Sequence, residues 1–260
     1  MKALILSAGR GRRLWPFTAD CPKCLLPIGR VTILERQLYN LEQVGISEVV
    51  LVCGFGADRV YKAVEASSST LNIKLLYNPF YAISDNLISL WVARSEMDRD
   101  FVLLNGDNVF HPGIVQRLLS VEETCCLMID RKTSYSGDDM KIQVLNDRII
   151  RIGKSLSGVA TDAASIGILR FSGECVGLIR QMLEEIVVEE KALGSYFPDS
   201  IQRLIAQGHP VTYREVDGLP WADIDTPEDL RAVRNQVHLY QADPVLRCEA
   251  PIYTAAKGGA

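Results

Sequence analysis

The chain has 260 residues, 48% of them hydrophobic, so it can bury the core of one large α/β domain or two small ones. Its formal net charge of -4 gives no general attraction to nucleic acid or to an anionic membrane, and no apolar run approaches the roughly 20 residues of a membrane span. We therefore expect neither a nucleic acid nor a membrane as partner. The start of the chain shows no signal-peptide pattern, which predicts a cytoplasmic location.

Short β-branched runs alternate with segments of helical period over the first 130 residues. Strands are predicted at 2–8, 48–54, 73–78, 101–107 and 125–130, and helices at 31–45, 58–67, 86–96 and 112–120. This order predicts an α/β fold with a doubly wound, mostly parallel, Rossmann-like sheet. Ligands of such sheets bind at the carboxyl ends of the strands, so Gly9, Asn78 and Asp107 should share one rim.

The pattern changes after about residue 130. Residues 140–154 alternate like a β-hairpin turning at Asn146 and Asp147. Further strands are predicted at 164–171 and 211–216, and helices at 173–191, 199–208 and 226–240. The second half therefore reads as a lid-like hairpin region attached to the same domain.

The first strand runs into a glycine-rich loop. Gly9 and Gly11 leave backbone N–H groups open to an anion. No Gly-Lys-Ser/Thr follows, and Leu14 stands where a dinucleotide fingerprint needs its third glycine, so neither of those motifs is present. On its own, this loop is equally compatible with a tight turn that carries solvated arginines.

The continuation of the loop resembles the signature of the sugar-1-phosphate nucleotidyltransferase superfamily. The matching positions are Gly9, Gly11, Arg13, Leu14, Pro16, Thr18, Pro22, Lys23, Leu25, Leu26 and Pro27. The resemblance implies that Arg13 and Lys23 are the catalytic cations, which hold the triphosphate and neutralise charge at the reacting phosphate. It also implies that the nucleotide contacts Leu6, Ala8 and the loop itself. Arg12 departs from the signature, which usually has Ser or Thr there.

Two later aspartate motifs match the same superfamily. Asp107 is the last residue of the strand predicted at 101–107. Asp225 lies in residues 221–230, which also contain Asp223. Each motif could instead simply start a helix, since Pro112 and Thr226 are helix-start signals. The resemblance implies that Asp107 and Asp225 bind Mg²⁺, with Asp223 a weaker candidate.

Residues 77–90 narrow the resemblance to the phosphocholine cytidylyltransferase-like subgroup. The polar side chains that would bind the nucleotide, with CTP favoured, are Asn78, Ser84, Asp85, Asn86 and, further along, Asn105, and Ser89 supplies a further hydrogen-bonding group. Text rich in Asn and Ser also begins helices, so that alternative stays open.

The acceptor side of the site is predicted from the same subgroup. Lys141 and Lys154 would face an acceptor phosphate, although surface lysines on a hairpin are the alternative for Lys141. Tyr196 and Trp221 are aromatic candidates for the acceptor pocket. Relatives carry an acidic residue just before the strand at 164–171, where this chain offers Asp162 from a shifted position.

These motifs together predict a Mg²⁺-dependent cytidylyltransferase. It would join CMP from CTP to a small phosphorylated or phosphonate acceptor, with release of pyrophosphate. The alternatives are a guanylyl-, thymidylyl- or uridylyltransferase of a sugar 1-phosphate and a non-catalytic nucleotide-binding regulatory subunit. We expect a single domain over 1–243, with a nucleotide-binding half over about 1–130 and an acceptor and metal half over about 131–243. A loosely held tail over 244–260 is predicted, and a homo-oligomer is compatible with the sequence.

Overall fold

The computed structural model describes residues 1–156, 161–188 and 192–240. The predicted tail over 244–260 and the end of the helix predicted at 173–191 lie outside these ranges. The described strands, in chain order, are β1 (Lys2–Ser7), β2 (Glu48–Cys53), β3 (Asn72–Tyr77), β4 (Phe101–Asn105), β5 (Asn108–Phe110), β6 (Cys125–Asp130), β7 (Met140–Leu145), β8 (Arg148–Gly153), β9 (Ala163–Phe171), β10 (Thr212–Glu215) and β11 (Trp221–Asp223).

The described α-helices alternate with these strands as the sequence predicts. They are α1 (Ile33–Gln43), α2 (Ala57–Glu65), α3 (Asn86–Val92), α4 (Pro112–Leu119), α5 (Glu174–Val187), α6 (Pro198–Ala206) and α7 (Pro227–Asn235). Within the described ranges, none of the helices combines the length and the apolarity that a membrane crossing requires.

A nine-stranded sheet forms the centre of the molecule, with the path β10-β6-β9-β4-β1-β2-β3. The strands on this path run in one direction except β9, which is antiparallel to both β4 and β6. The hairpin β7–β8 extends from β9 by antiparallel pairing. The predicted mostly parallel α/β sheet with an attached hairpin is therefore confirmed.

Helices cover both faces of this sheet. Along β1, Leu4 and Leu6 join one apolar cluster with α3, α5 and α6, whereas Ala3 and Ile5 join the opposite cluster with α1 and α4. The strand is thus buried on both sides, which explains why it reads as a continuous apolar run.

The structure corrects four details of the predicted elements. The strand predicted at 101–107 ends at Asn105, and the chain turns through Asp107 into β5, which pairs with β11; neither short strand was predicted. The helix predicted at 86–96 continues only as a 3₁₀ turn from Ala93. The helix predicted at 226–240 ends at Asn235, because Gln236 leaves the helical region with φ -121°. A separate 3₁₀ turn then covers Val237–Tyr240.

Capping boxes define the start of two helices. Thr32 accepts a hydrogen bond from the backbone N–H of Glu35, whose carboxylate accepts one in return from the backbone N–H of Thr32. Thr226 and Asp229 make the same exchange at the start of α7. The helix-start reading of the Thr226 motif is therefore confirmed, whereas Asp107 does not cap α4, whose N-cap is His111.

Candidate active site

The carboxyl ends of β1 and β4 form the floor of the site. The two strands pair in parallel from Lys2 to Leu6, so the glycine-rich loop after β1 lies beside the turn after β4. At Gly106 the two backbones approach so closely that a Cβ atom would overlap Ser7 Oγ and lie 2.7 Å from the carbonyl oxygen of Leu6. A side chain at position 106 would therefore push the two strands apart.

A cavity of about 350 Å³ opens above this floor. Every residue predicted to bind nucleotide lines it, namely Leu6, Ala8, Gly9, Gly11, Arg12, Asn78, Ser84, Asp85, Asn86 and Asn105. The two predicted catalytic cations line it as well. The structure thus brings together residues that lie up to a hundred positions apart in the sequence.

Asn78 holds one wall of this cavity. Its amide donates hydrogen bonds to Ser84 Oγ at 3.4 Å and to Ser89 Oγ at 3.0 Å, and its Oδ1 accepts one from the backbone N–H of Phe80 at 2.8 Å. Asn78 is buried, so these bonds fix the segment that leads into α3. Beside it, burial raises the pKa of Asp85, while the charge of Lys154 opposes that rise.

Lys23 joins the two predicted metal ligands. Its ammonium donates hydrogen bonds to Asp107 Oδ2 at 2.7 Å and to Asp225 Oδ1 at 2.8 Å. Arg13 adds a second cation, 3.0 Å from Asp225 Oδ2 and 2.6 Å from Asp138 Oδ2. Two cations and three carboxylates therefore form one continuous network at the junction of the two halves of the fold.

This network sets the protonation states of Lys23 and Asp225. Burial on its own would lower the pKa of Lys23, but the charges of Asp107 and Asp225 outweigh it and raise that pKa. Burial would likewise raise the pKa of Asp225, whereas Lys23 and Arg13 bring it below its ordinary value. Lys23 is therefore cationic and Asp225 anionic near neutral pH.

Asp223 has a different environment. Its carboxylate accepts a hydrogen bond from the side-chain amide of Asn108, across the β5–β11 pair. Burial, reinforced by the negative charges of Asp107 and Asp225, raises its pKa well above the ordinary value. Asp223 does not line the cavity of about 350 Å³, but it lines the larger cavity described next together with Asp107 and Asp225, so it stays a weaker metal candidate.

A second cavity, of about 570 Å³, continues beyond the network. The two cavities share Arg13, Asn86, Asn105, Asp107, Lys154, Tyr196 and Asp225. Acidic side chains outnumber basic ones in the second cavity: its lining includes Asp107, Asp130, Asp138, Asp139, Asp223, Asp225 and Asp229 but only Arg13, Lys132 and Lys154 as cations.

Aromatic rings stand beside charged groups in this second cavity. Trp221 donates its indole N–H to Asp130 Oδ2 at 3.0 Å, and the ammonium of Lys132 lies 5.2 Å from the centre of its ring. Lys154 lies 4.4 Å from the ring centre of Tyr196. Three of the predicted acceptor residues, Lys154, Tyr196 and Trp221, therefore line this cavity.

Lys141 lies elsewhere. It lines neither cavity, and its ammonium donates to the carbonyl oxygen of Lys154 at 3.0 Å across the hairpin. Asp162 is also engaged in the hairpin, where its carboxylate accepts a hydrogen bond from the backbone N–H of Val144 at 2.8 Å. These contacts fit the hairpin alternative for Lys141, and the acceptor roles of Lys141 and Asp162 stay predictions.

Sequence reasoning missed several residues that line the second cavity, chiefly Asp130, Lys132, Asp138 and Asp139. Asp130 could have been found, because it ends the strand predicted at 125–130 as Asp107 ends the strand predicted at 101–107. The other three lie on the loop between β6 and β7, where nothing in the sequence distinguishes them from ordinary polar surface residues.

Asp107 and Asp225 fit a divalent metal ion. Asp107 Oδ2 faces Lys23, but Asp107 Oδ1 is buried without a hydrogen-bond partner among the described residues. Such an orphaned carboxylate oxygen suits a hard cation. In the described part of the chain no group of three or more His, Cys, Asp or Glu side chains is arranged as a metal site. A metal here would thus take protein ligands from the two aspartates and further ligands from a phosphate and water.

Comparison with known proteins gives a consistent picture. The family model of the MobA-like NTP transferase domain matches residues 3–218. The CMP-5'-(3-aminopropyl)phosphonate synthase of Streptomyces rubellomurinus is 27% identical over 246 residues, which cover 89% of this chain and 38% of that protein. The CTP:phosphoglutamine cytidylyltransferase of Campylobacter jejuni is 25% identical, over 88% of this chain and 98% of that one.

Solved structures share the fold. The CTP:phosphocholine cytidylyltransferase of Streptococcus pneumoniae superposes with a TM-score of 0.75 at 20% identity, covering 91% of this chain and 98% of that one. The inositol-1-phosphate CTP transferase of T. maritima gives a TM-score of 0.77 at 18% identity, over 91% and 95%. The chain spans 38% of the Streptomyces synthase and 51% of a bifunctional IPC transferase and DIPP synthase from Rubrobacter xylanophilus, so it matches part of those longer proteins.

Proposed function

This chain belongs to the MobA-like NTP transferase family, and from that premise we propose that it is a Mg²⁺-dependent cytidylyltransferase. It would transfer CMP from CTP to a small phosphorylated or phosphonate acceptor and release pyrophosphate. We also propose the predicted single domain with a nucleotide-binding half and an acceptor half. The first cavity is lined mostly by residues before 110 and the second mostly by residues after 129, which supports this division. The described cysteines are free thiols, which supports the expected cytoplasmic location.

One observation carries this proposal. The network of Arg13, Lys23, Asp107 and Asp225 lies where two cavities meet, and members of it line both. A group transfer between two small molecules needs this arrangement, with one binding space on each side of the reacting phosphorus. A nucleotide-sensing subunit would need only one such space.

The reaction is a displacement at the α-phosphorus of CTP. An acceptor oxygen forms a new bond to this phosphorus, the bond to the β-phosphate oxygen breaks, and pyrophosphate leaves with its electron pair. Both partners are anionic, so the barrier falls mainly through charge neutralisation and alignment. Arg13 and Lys23 provide that neutralisation, and the backbone N–H groups near Gly9 and Gly11 hold phosphate oxygens.

Lys23 is held between two carboxylates in the structure, which bears on the role of the metal. If its ammonium turns toward a phosphate, Asp107 loses its paired cation and Asp225 keeps only Arg13, so the two carboxylates need another cation. A Mg²⁺ ion held by these two aspartates would supply that charge and polarise the phosphate oxygens. The ion pairs of the protein alone thus make nucleotide binding and metal binding depend on each other.

The lining of the first cavity supports CTP as the nucleotide. Cytosine presents an amino group that donates and ring atoms that accept, and the wall at Ser84, Asp85 and Asn86 offers both kinds of partner. Two of the relatives named above are a CTP:phosphoglutamine cytidylyltransferase and a CMP-5'-(3-aminopropyl)phosphonate synthase, which supports the same choice.

The lining of the second cavity supports an acceptor that carries a positive charge. Its excess of aspartates would repel a purely anionic molecule, but Lys154 and Arg13 lie at the entrance shared with the first cavity. A zwitterion fits this arrangement, with its phosphate or phosphonate at the shared residues and its amino or ammonium group among the aspartates and Trp221.

A pyrophosphate-release assay tests the proposal. The four ribonucleoside triphosphates and dTTP would be combined with phosphocholine, aminoalkylphosphonates, inositol phosphate and glucose 1-phosphate, with and without Mg²⁺. We expect turnover with CTP and a zwitterionic acceptor only when Mg²⁺ is present. Turnover with another nucleotide and a sugar 1-phosphate would identify a sugar nucleotidyltransferase instead. Calorimetric binding of CTP by folded protein without turnover of any pair would indicate a regulatory subunit.

A further inference from the structure

The turn that carries Asp107 is held by a residue outside both cavities. Gln37, on α1, is fully buried with 0% of its surface exposed. Its side-chain amide nitrogen donates hydrogen bonds to the carbonyl oxygen of Asn105 at 2.8 Å and to that of Asn108 at 2.9 Å. These carbonyls flank Asp107, so a single amide group bridges the turn directly behind the aspartate.

The rest of the turn is fixed from other directions. The backbone N–H of Gly106 donates to the carbonyl oxygen of Leu6, and the carbonyl oxygen of Asp107 accepts from the backbone N–H of Ile224 at 3.2 Å. With Gln37 in place, the carbonyl oxygens of residues 105, 107 and 108 all have partners. The carboxylate of Asp107 is thereby left to face Lys23.

We infer that Gln37 is a positioning residue for the metal-binding aspartate, acting through the backbone of the Asp107 turn. This inference rests on the proposed function. Gln37 lines neither cavity, so it touches neither substrate.

The chemistry of the side chain explains why glutamine occupies this position. One NH₂ group has two N–H donors and can serve two carbonyls at once. An ionised Glu would present only acceptors to those carbonyls, and Met would leave both unsatisfied in a buried place. Gln37 Oε1 is itself buried without a partner among the described residues. That desolvation penalty is the cost of placing the two donors at this site.

The helix gives Gln37 a second connection to the site. The backbone N–H of Ile33, at the start of α1, donates to the carbonyl oxygen of Leu26, close to the turn that carries Lys23. A rigid α1 therefore links the Lys23 turn to the Asp107 turn. In this way Gln37 sets the separation at which the ammonium and the carboxylate meet.

Asn40 offers a matched control on the same helix face. It is also fully buried, and its amide donates to the carbonyl oxygen of Phe110 at 2.6 Å, beyond the turn. Gln37→Met and Asn40→Leu each replace a buried amide by an apolar side chain of similar size. Both should lower the melting temperature, but only the Gln37 variant should disturb Asp107.

The experiment measures kcat, KM for CTP and the Mg²⁺ dependence of folded variants, together with Mn²⁺ binding followed by electron paramagnetic resonance. We expect Gln37→Met to lower both kcat and Mn²⁺ affinity about 10- to 100-fold, with KM for CTP, measured at saturating Mg²⁺, changed much less. Gln37→Asn, which keeps the amide but shortens its reach, should give a smaller loss of the same kind. Asn40→Leu should leave kcat and Mn²⁺ affinity unchanged.

Several outcomes would overturn the inference. They are a folded Gln37→Met or Gln37→Asn enzyme with wild-type kcat and Mn²⁺ affinity, and an Asn40→Leu variant with the same losses. If both Gln37 variants fail to fold, the residue serves folding alone. An inactive wild-type protein would contradict the proposed function instead, and the Mn²⁺ measurement would still decide the role of Gln37.

Discussion

Two ion pairs of the site lie in different surroundings. We call the pair Lys23–Asp107 the floor pair and the pair Arg13–Asp138, which lines the second cavity, the acceptor wall. On the floor, Lys23 and Asp107 have side chains that are 14% and 27% exposed. On the wall, Arg13 and Asp138 are 51% and 64% exposed. A pair shielded from water is strong and costly to break, whereas an exposed pair contributes little and exchanges partners readily. The floor pair therefore holds one geometry, whereas the ion pair of the wall can change partners when a ligand binds.

Replacing Asp107 in the floor pair should cause the largest loss of activity. Asp107→Asn removes the negative charge that would hold the metal, and we expect activity to fall about 1,000-fold or more, because a bound metal supplies several kcal/mol of charge stabilisation. The pyrophosphate-release assay measures the loss, and circular dichroism checks the fold. Asp217→Asn, which alters an exposed aspartate paired with Arg117, is the control and should stay active. A fully active Asp107→Asn enzyme would remove the metal assignment.

Lys23→Met removes the cation of the same ion pair. We expect kcat to fall about 100- to 1,000-fold, as when one preorganised donor to a transition state is removed. Asp107 would then lose its paired cation and Asp225 would keep only Arg13, so stability should fall by about 3 kcal/mol in urea unfolding. Mg²⁺ should restore part of that stability by binding between the aspartates.

Lys74→Met is the matched control for Lys23. Lys74 pairs with Glu96 at an exposed position, 2.8 Å away, so its loss should change neither activity nor the response to Mg²⁺. A Lys23 variant that loses no stability would show that the floor pair is as weak as an exposed one. The contrast between floor and wall would then have to be abandoned.

Asp138→Asn tests the wall. Asp138 contacts both Arg13 and Lys154, so its removal frees two cations and deletes one acidic side chain of the second cavity. We expect KM for a zwitterionic acceptor to rise up to about fivefold, which corresponds to an exposed contact of up to about 1 kcal/mol, with kcat and stability nearly unchanged. A lower KM would instead show that Asp138 competes with the acceptor phosphate for the cations.

Arg12→Ser restores the residue type usual in the superfamily signature and should have the smallest effect. Arg12 is exposed and lines the first cavity. We expect KM for CTP to rise about two- to fivefold at low salt and the difference to disappear at high salt, because exposed charges are screened. Arg10→Ser is the control, since Arg10 stacks on Tyr81 and does not line the cavity. A difference that persists at high salt would indicate a specific contact.

The floor was predictable from the sequence because its residues follow strands. Gly9, Asn78 and Asp107 each come at the end of a predicted strand or just after it, and parallel strands bring their carboxyl ends to one edge. The resemblance then indicated which later aspartate joins them. The cavity lining includes each of these residues, although their predicted roles remain to be tested.

The wall was less predictable, for a physical reason. Asp138 and Asp139 lie on an exposed loop, where acidic residues are common and no periodic pattern constrains them. Lys141 is a candidate from the resemblance, but its ammonium donates to the carbonyl oxygen of Lys154, just after β8. The role of Gln37 could not be predicted for a different reason. In the sequence of an amphipathic helix a buried amide looks like an exposed polar residue, because its hydrogen-bond acceptors are distant in the chain.

The hairpin β7–β8 joins the rest of the molecule through backbone groups. Met140, Lys141 and Ile142 pair with β9, and the backbone N–H groups of Ile149 and Ile152 donate to the carbonyl oxygen of Val211 and to the side chain of Gln202. Backbone pairing depends little on side-chain identity, so a hairpin from a relative that keeps apolar residues at positions 142, 149 and 152 could be grafted at the same register. Of the hairpin residues, Met140 alone lines the second cavity, so we expect such chimeras to keep the nucleotide preference and to change the acceptor preference only through position 140.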